Sequence, residues 1–160
     1  MKIIIDGYNL IWAVPELRKK LLNDERGTNL EEGRKELLHY LEIYQRAHPK
    51  LKITVVFDSK EEIFPYPALP SRIKVLYSNG ETADNLIEKI VKDEKNETLV
   101  VTSDNELKRR VKEKGAQIIG SLTFFTRITS AKEKIHHKKK LSIHQENSIR
   151  DELKRLYNIE

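Results

Sequence analysis

The sequence predicts an α/β fold, a three-layer α/β/α sandwich on a mainly parallel central sheet, and three observations lead there. Short β-branched runs alternate with longer amphipathic stretches, the pattern of parallel strands joined by right-handed crossovers. Two of the runs, KIIID and KITVVFD, stop abruptly on an acid, as buried parallel strands do where they open into a loop. The 160 residues suit one main domain, long enough to bury roughly two-thirds of its unfolded surface.

Taken in order, Lys2–Asp6 is the first strand, and an early loop follows it. Thr28 with Glu31, or equally Asn29 with Glu32, offers a capping box for a helix of roughly 20 residues. Leu30, Leu37, Leu41 and Tyr44 fall on one face of it, and Pro49 closes it. Lys52–Asp58 is the second strand. Residues 60–71 hold three prolines with Phe64 and Tyr66 between them, which reads as a loop. Arg72–Tyr77 alternates like a strand near an edge, and Ser78-Asn79-Gly80 turns the chain. Ala83, Leu86, Ile87, Ile90 and Val91 then form the stripe of a core-facing helix. Thr98–Thr102 is a central strand. Ser103 and Glu106 form a capping box for a helix that Leu107 and Val111 turn inward and Gly115 stops. Gln117–Ile119 is a short last strand, followed from Ser121 by a weak helix through Phe124, Phe125 and Ile128.

At Ala131 the composition changes. The stretch AKEKIHHKKKLSIH is basic and poor in core residues, and reads as a linker. A last amphipathic helix, Ile149–Tyr157, carries Ile149, Leu153, Leu156 and Tyr157 on one side. The expected organisation is a domain over residues 1–130 and an appendage over 131–160.

Composition removes several functions. There is no cysteine, hence no disulfide framework, thiolate zinc site or cysteine nucleophile. No apolar run approaches the roughly 20 residues of a membrane span, and Met1-Lys2-Ile3 leads into a strand instead of a signal peptide. A soluble cytoplasmic protein with no membrane partner is the expectation. The formal charge of +5 hints at an anionic partner. Residues 132–144 hold five Lys against one Glu, a net +4, which leaves +1 for everything else.

Ligands of open parallel sheets bind beyond the carboxyl ends of the strands. Asp6, Asp58 and Asp104 stand at three such ends, and Asp84 sits in the first turn of a helix opposite its apolar stripe. Carboxylates brought together repel, and a hard divalent cation with oxygen ligands is the usual compensation. Mg²⁺ or Mn²⁺ so held activates water for attack on a phosphodiester. Each acid also has a plain structural reading. Asp84 and Asp104 gain from a helix N-terminus, Asp58 can begin a loop, and Asp6 can bond to the amides of Gly7 and Tyr8.

Four motifs in order, DGYNL, VVFD, GETADNLIEKIV and VVTSDNEL, together resemble the YacP-like branch of the NYN domains, PIN-like ribonucleases, over roughly residues 1–130. The resemblance implies a PIN-like fold and Mg²⁺- or Mn²⁺-dependent endonucleolytic cleavage of RNA. The branch includes ribosome-associated enzymes acting on messenger RNA, so RNA and the ribosome are the implied partners. By motif, Asp6, Asp84 and Asp104 are the implied catalytic, metal-binding acids. Asn9 stands beside them and Asp58 is a fourth contributor. Many PIN domains carry an acid two residues beyond the last aspartate, here Glu106, although its capping box already accounts for it. Glu81 belongs to the third motif and can equally serve only to steer the turn.

For RNA contact the sequence offers Tyr8 and Trp12, whose rings can stack on bases or fill the core beneath the early loop. Phe64 and Tyr66 pose the same choice. Lys108, Arg109 and Arg110 follow Asp104 closely, and Lys138, Lys139 and Lys140 lie in the basic stretch, available to phosphates or simply solvated. Two other classes stand beside this reading. A haloacid-type phosphatase wants a second Asp two residues after the first, where Tyr8 stands, and a receiver-like domain wants an acidic pair beside strand 1 and a late-strand Lys. A PIN-like module that binds RNA or the ribosome without cutting is the main alternative.

Overall fold

The computed structural model describes residues 1–22, 29–59, 73–94 and 97–157. Its sheet has five strands, all parallel, in the order β3-β2-β1-β4-β5. These are β1 (Lys2–Asp6), β2 (Lys52–Phe57), β3 (Ile73–Tyr77), β4 (Thr98–Val101) and β5 (Gln117–Ile119). The helices are α1 (Gly7–Ala13), α2 (Pro15–Leu22), α3 (Leu30–Ala47), α4 (Ala83–Asp93), α5 (Asn105–Glu113) and α6 (Ser121–Tyr157).

The period of two along each strand sorts the core into two layers. Ile3, Ile5, Ile53, Val55, Phe57, Leu99 and Val101 pack with buried residues of α1, α2, α3 and α6. Ile4, Val56 and Val100 pack with Ile87, Val91, Leu107 and Val111 of α4 and α5. The chain leaves β1 for β2 and β3 on one side, then returns to the other side for β4 and β5. Right-handed crossovers moving in opposite directions place their helices on opposite faces. That reversal makes the gap between β1 and β4 the switch point of the sheet, where the following loops diverge and open a crevice.

Several expectations change. The early loop is largely two short helices: Leu10, Ile11, Val14, Leu17 and Leu21 are all buried there, a spacing of one, three and four residues that follows a helix. For α3 the cap is Asn29, whose side chain accepts from the Glu32 amide at 3.1 Å; Thr28 lies outside the described residues, as do Phe64, Tyr66 and the proline loop. Leu37, Leu41 and Tyr44 are buried, but Leu30 in the first turn is 40% exposed. The basic stretch is not an irregular linker, since α6 continues unbroken through residue 131 to Tyr157. No Gly or Pro interrupts residues 121–157, so nothing stops the helix where its core contacts end. Its first part is anchored by Ser121, Phe124, Phe125 and Ile128, and residues 136–148 are exposed. No helix among the described residues is long and apolar enough to cross a membrane.

Gly7 shows how tightly the switch point is built. A Cβ there would lie 2.4 Å from Cε1 of Phe57, a ring with no exposed surface. Gly7→Ala is therefore expected to lower stability by about 2 kcal/mol, read as a lower denaturant midpoint at unchanged slope; an unchanged midpoint would mean that the ring can yield.

Candidate active site

Asp6 ends the central strand, and its place in the alternation turns its side chain toward the face of α4 and α5. It also caps α1: one carboxylate oxygen accepts from the Asn9 amide and the other from the Thr102 hydroxyl, both at 3.4 Å. The Asn9 amide thus takes the place of the Gly7 and Tyr8 amides expected from sequence. Charge-assisted bonds to carboxylates normally run near 2.8 Å, so this buried group, 8% exposed, is poorly compensated. Burial first, then Asp84, and to a smaller degree Asp104, lift its pKa from 3.8 to about 6 against those two long bonds.

Asp104 follows β4 and is itself the cap of α5, accepting from the Leu107 amide at 2.8 Å. The sequence reading gave that role to Ser103 with Glu106. Ser103 is instead drawn to the other side, where its amide donates to Oδ1 of Asn9 at 2.8 Å and its hydroxyl accepts from the Ser121 amide at 3.2 Å. Glu106 is thereby freed from a capping box. Thr102 links the two strand-end acids, since its hydroxyl accepts from the Asp104 amide at 3.1 Å while donating to Asp6.

Asp84 lies half-buried in the first turn of α4, behind the Thr82 cap. A helix N-terminus favours a carboxylate, yet its pKa is raised, by burial and by Asp104 against the opposing pull of Arg110, with Glu106 and Asp58 adding smaller repulsions. Asp84 is thus the point at which the fields of the other acids overlap. Arg110 reaches across from α5, donating to Glu88 at 2.7 Å and to Asn85 at 2.7 Å, and so ties the start of α4 to α5. Asp58 is exposed after β2 and accepts from the buried Ser78 hydroxyl at 3.0 Å. Glu81 is engaged elsewhere, in an ion pair with Lys89 at 2.7 Å.

The YacP-like NYN domain model matches residues 3–158. The chain belongs to the YacP-like NYN domain family. Its fold is shared with two crystal structures of Rae1 (YacP) from Bacillus subtilis, the protein and a single-residue variant. The protein is 22% identical with a TM-score of 0.70, over 99% of this chain and 92% of that one. The variant is 24% identical with a TM-score of 0.70, over 89% and 83%. No curated protein matches this sequence. Membership makes the chain a PIN-like nuclease by family, and the match extends well beyond the residues 1–130 read from the motifs.

Within this NYN domain no three Asp, Glu or His side chains among the described residues are placed to hold one ion in common. The donor chemistry nonetheless suits a hard cation. Mg²⁺ commonly takes one or two carboxylates and completes its shell with water and substrate phosphate. Burial first, and then repulsion between the acids, lift Asp6 and Asp84, and such an ion relieves the repulsion.

The remaining residues singled out in sequence lie on several elements of the fold. Tyr8 is half-buried, its ring 5.1 Å from that of Phe57 and its hydroxyl accepting from the buried Arg34 at 3.0 Å. Trp12 is 44% exposed, so it does not fill the core. Lys108 is half-buried and Arg109 pairs with Glu113 at 2.8 Å. Lys138, Lys139 and Lys140 are exposed on α6, remote in sequence from the strand ends. Sequence reasoning missed Thr102, Ser103, Ser121 and Arg34. Ser121 had a usable signal, since it stands just beyond β5 at the same edge of the sheet.

Proposed function

We propose that this NYN domain is a metal-dependent endoribonuclease that hydrolyses internal phosphodiester bonds of RNA, with messenger RNA on the ribosome as its substrate. The observation that carries the reading is Asp6: a carboxylate buried at the switch point, held by two long hydrogen bonds and repelled by Asp84 and Asp104. Such an arrangement is costly for a fold and useful to a cation site.

One or two of Asp6, Asp84 and Asp104 would hold Mg²⁺ or Mn²⁺ directly and the others through water, with Asp58 and Glu106 at the margin. A bound ion supplies a water of lowered pKa and offsets charge on the phosphate under attack. The chain's own residues prepare that chemistry. Thr102 fixes the spacing of Asp6 and Asp104, and Arg110 fixes the start of α4 that carries Asp84. Trp12 offers an exposed ring for a base, Tyr8 a ring edge, and Lys108 and Arg109 offer charge beside the crevice. The exposed part of α6 is an appendage to the nuclease domain, and its lysines contact phosphates of RNA in the ribosomal setting.

The direct test uses end-labelled unstructured RNA and ribosome-bound message, each with Mn²⁺ or EDTA. The proposal expects internal cuts with Mn²⁺ and none with EDTA. Binding to both substrates with no cleavage in either condition would make the chain a binding module.

A further inference from the structure

We propose that Asn9 is a hydrogen-bond donor to an RNA phosphate, held in position by Ser103 and Ser121, and that it does not serve as a metal ligand. The proposal rests on the nuclease reading above and assigns a role within that site.

The orientation of the Asn9 carboxamide follows from its partners. A backbone N–H can only donate, so the Asn9 atom 2.8 Å from the Ser103 amide is the oxygen. The same oxygen accepts from the hydroxyl of Ser121 at 2.8 Å. Ser121 has no exposed surface, and its amide is itself tied to Ser103 at 3.2 Å, so neither donor is free to leave. Two short bonds occupy both lone pairs of that oxygen, which leaves it no capacity to coordinate a cation. An amide nitrogen has no lone pair to offer either.

What remains is the NH₂ group. No protein partner of it is found among the described residues, and it is not among the buried unsatisfied atoms, so it reaches solvent. Asn9 sits in the first turn after Asp6, and Ser103 follows β4. The carboxamide therefore bridges the two loops that flank the switch point, with two donor hydrogens left over. A phosphate oxygen is the acceptor that a nuclease brings to that crevice, and a neutral donor suits a site already crowded with carboxylates. Ser121 also makes the first residue of α6 part of this bracket, so the helix that carries the basic segment begins at the site.

Asn9→Asp separates the two roles, because it keeps an oxygen for Ser103 and Ser121 and replaces the NH₂ by a second oxygen. Binding of fluorescein-labelled single-stranded RNA is measured by anisotropy in EDTA, at low and at high salt, beside cleavage in Mn²⁺ and a melting curve. The expected result is binding weakened about tenfold and persisting at high salt, with cleavage falling in parallel. Wild-type binding and cleavage by Asn9→Asp would overturn the proposal and leave Asn9 a scaffold residue or a ligand. A deficit that vanishes at high salt would overturn it too, since only a screened charge was then added. If Asn9→Asp does not fold, Ser121→Ala releases one lock on the carboxamide; several-fold weaker binding in EDTA supports the proposal and wild-type binding refutes it. Wild-type cleavage in Mn²⁺ reports separately on the nuclease reading.

Discussion

Replacing Asp6 by asparagine is expected to abolish cleavage and, at neutral pH, to make the metal-free protein more stable. The two effects share one cause. In the native fold Asp6 ionises with a pKa near 6 in place of 3.8, so the folded state binds more protons than the unfolded state between those values. Stability contributed by this group is thus present below about pH 4 and is lost as the pH rises to about 6. The shift corresponds to about 3 kcal/mol at pH 7. Asparagine keeps one oxygen for the Asn9 amide, can donate to the Thr102 hydroxyl, and removes the repulsion. A rise of the melting temperature by several degrees is expected at pH 7, and little change at pH 4. Mn²⁺ should stabilise the wild type and not the variant. Cleavage should fall at least about a hundredfold. A variant that melts lower than the wild type at pH 7 would show that Asp6 is a stabilising cap, and the strain attributed to it would be absent.

Neutralising the basic segment of α6 is expected to weaken RNA binding while leaving the catalytic acids intact. Residues 132–144 hold net charge +4 of the chain's +5, and as helix they spread over about 20 Å. Lys138, Lys139 and Lys140 are consecutive, so they fan around the helix at about 100° steps. Two or three of them can meet one concave strand of phosphates. Lys138→Gln, Lys139→Gln and Lys140→Gln together preserve helix propensity and exposure. Affinity for RNA should drop about tenfold, and the slope of log K against log salt should fall by about 1.4 to 2, with the melting curve unchanged. An unaltered slope would mean that these lysines are solvated and bind nothing.

Much of the fold was legible in the sequence because buried parallel strands and their crossover helices carry strong local signals. KIIID, KITVVF and TLVV are continuous apolar runs, and Ala83, Ile87 and Val91 mark α4 by spacing alone. The losses have particular physical causes. The helix α1 follows β1 directly and α2 follows after Val14 alone, so their short apolar pattern reads as a loop. The cap of α5 was displaced by one residue, because Ser103 and Asp104 are both good caps and only the tertiary bond from Ser103 to Asn9 decides between them. The basic segment looked like a linker because it lacks core residues; helix continuity needs only the absence of breakers once the first turns are anchored. For the site, the strand-end acids could be found from position. The Asn9, Ser103 and Ser121 bracket could not, since it joins residues more than a hundred positions apart.

If the strand-end acids carry out metal-dependent RNA hydrolysis, Asp104→Asn removes the activity and leaves the fold in place. Asparagine is as good a helix cap as aspartate, so α5 should keep its start and the protein its melting temperature. In Mn²⁺, with unstructured RNA and ribosome-bound message, internal cleavage is expected of the wild type and at least about a hundredfold less of the variant, at equal RNA affinity. A variant that cuts as well as the wild type, or a wild type that binds both RNAs in Mn²⁺ and leaves them whole, would contradict it.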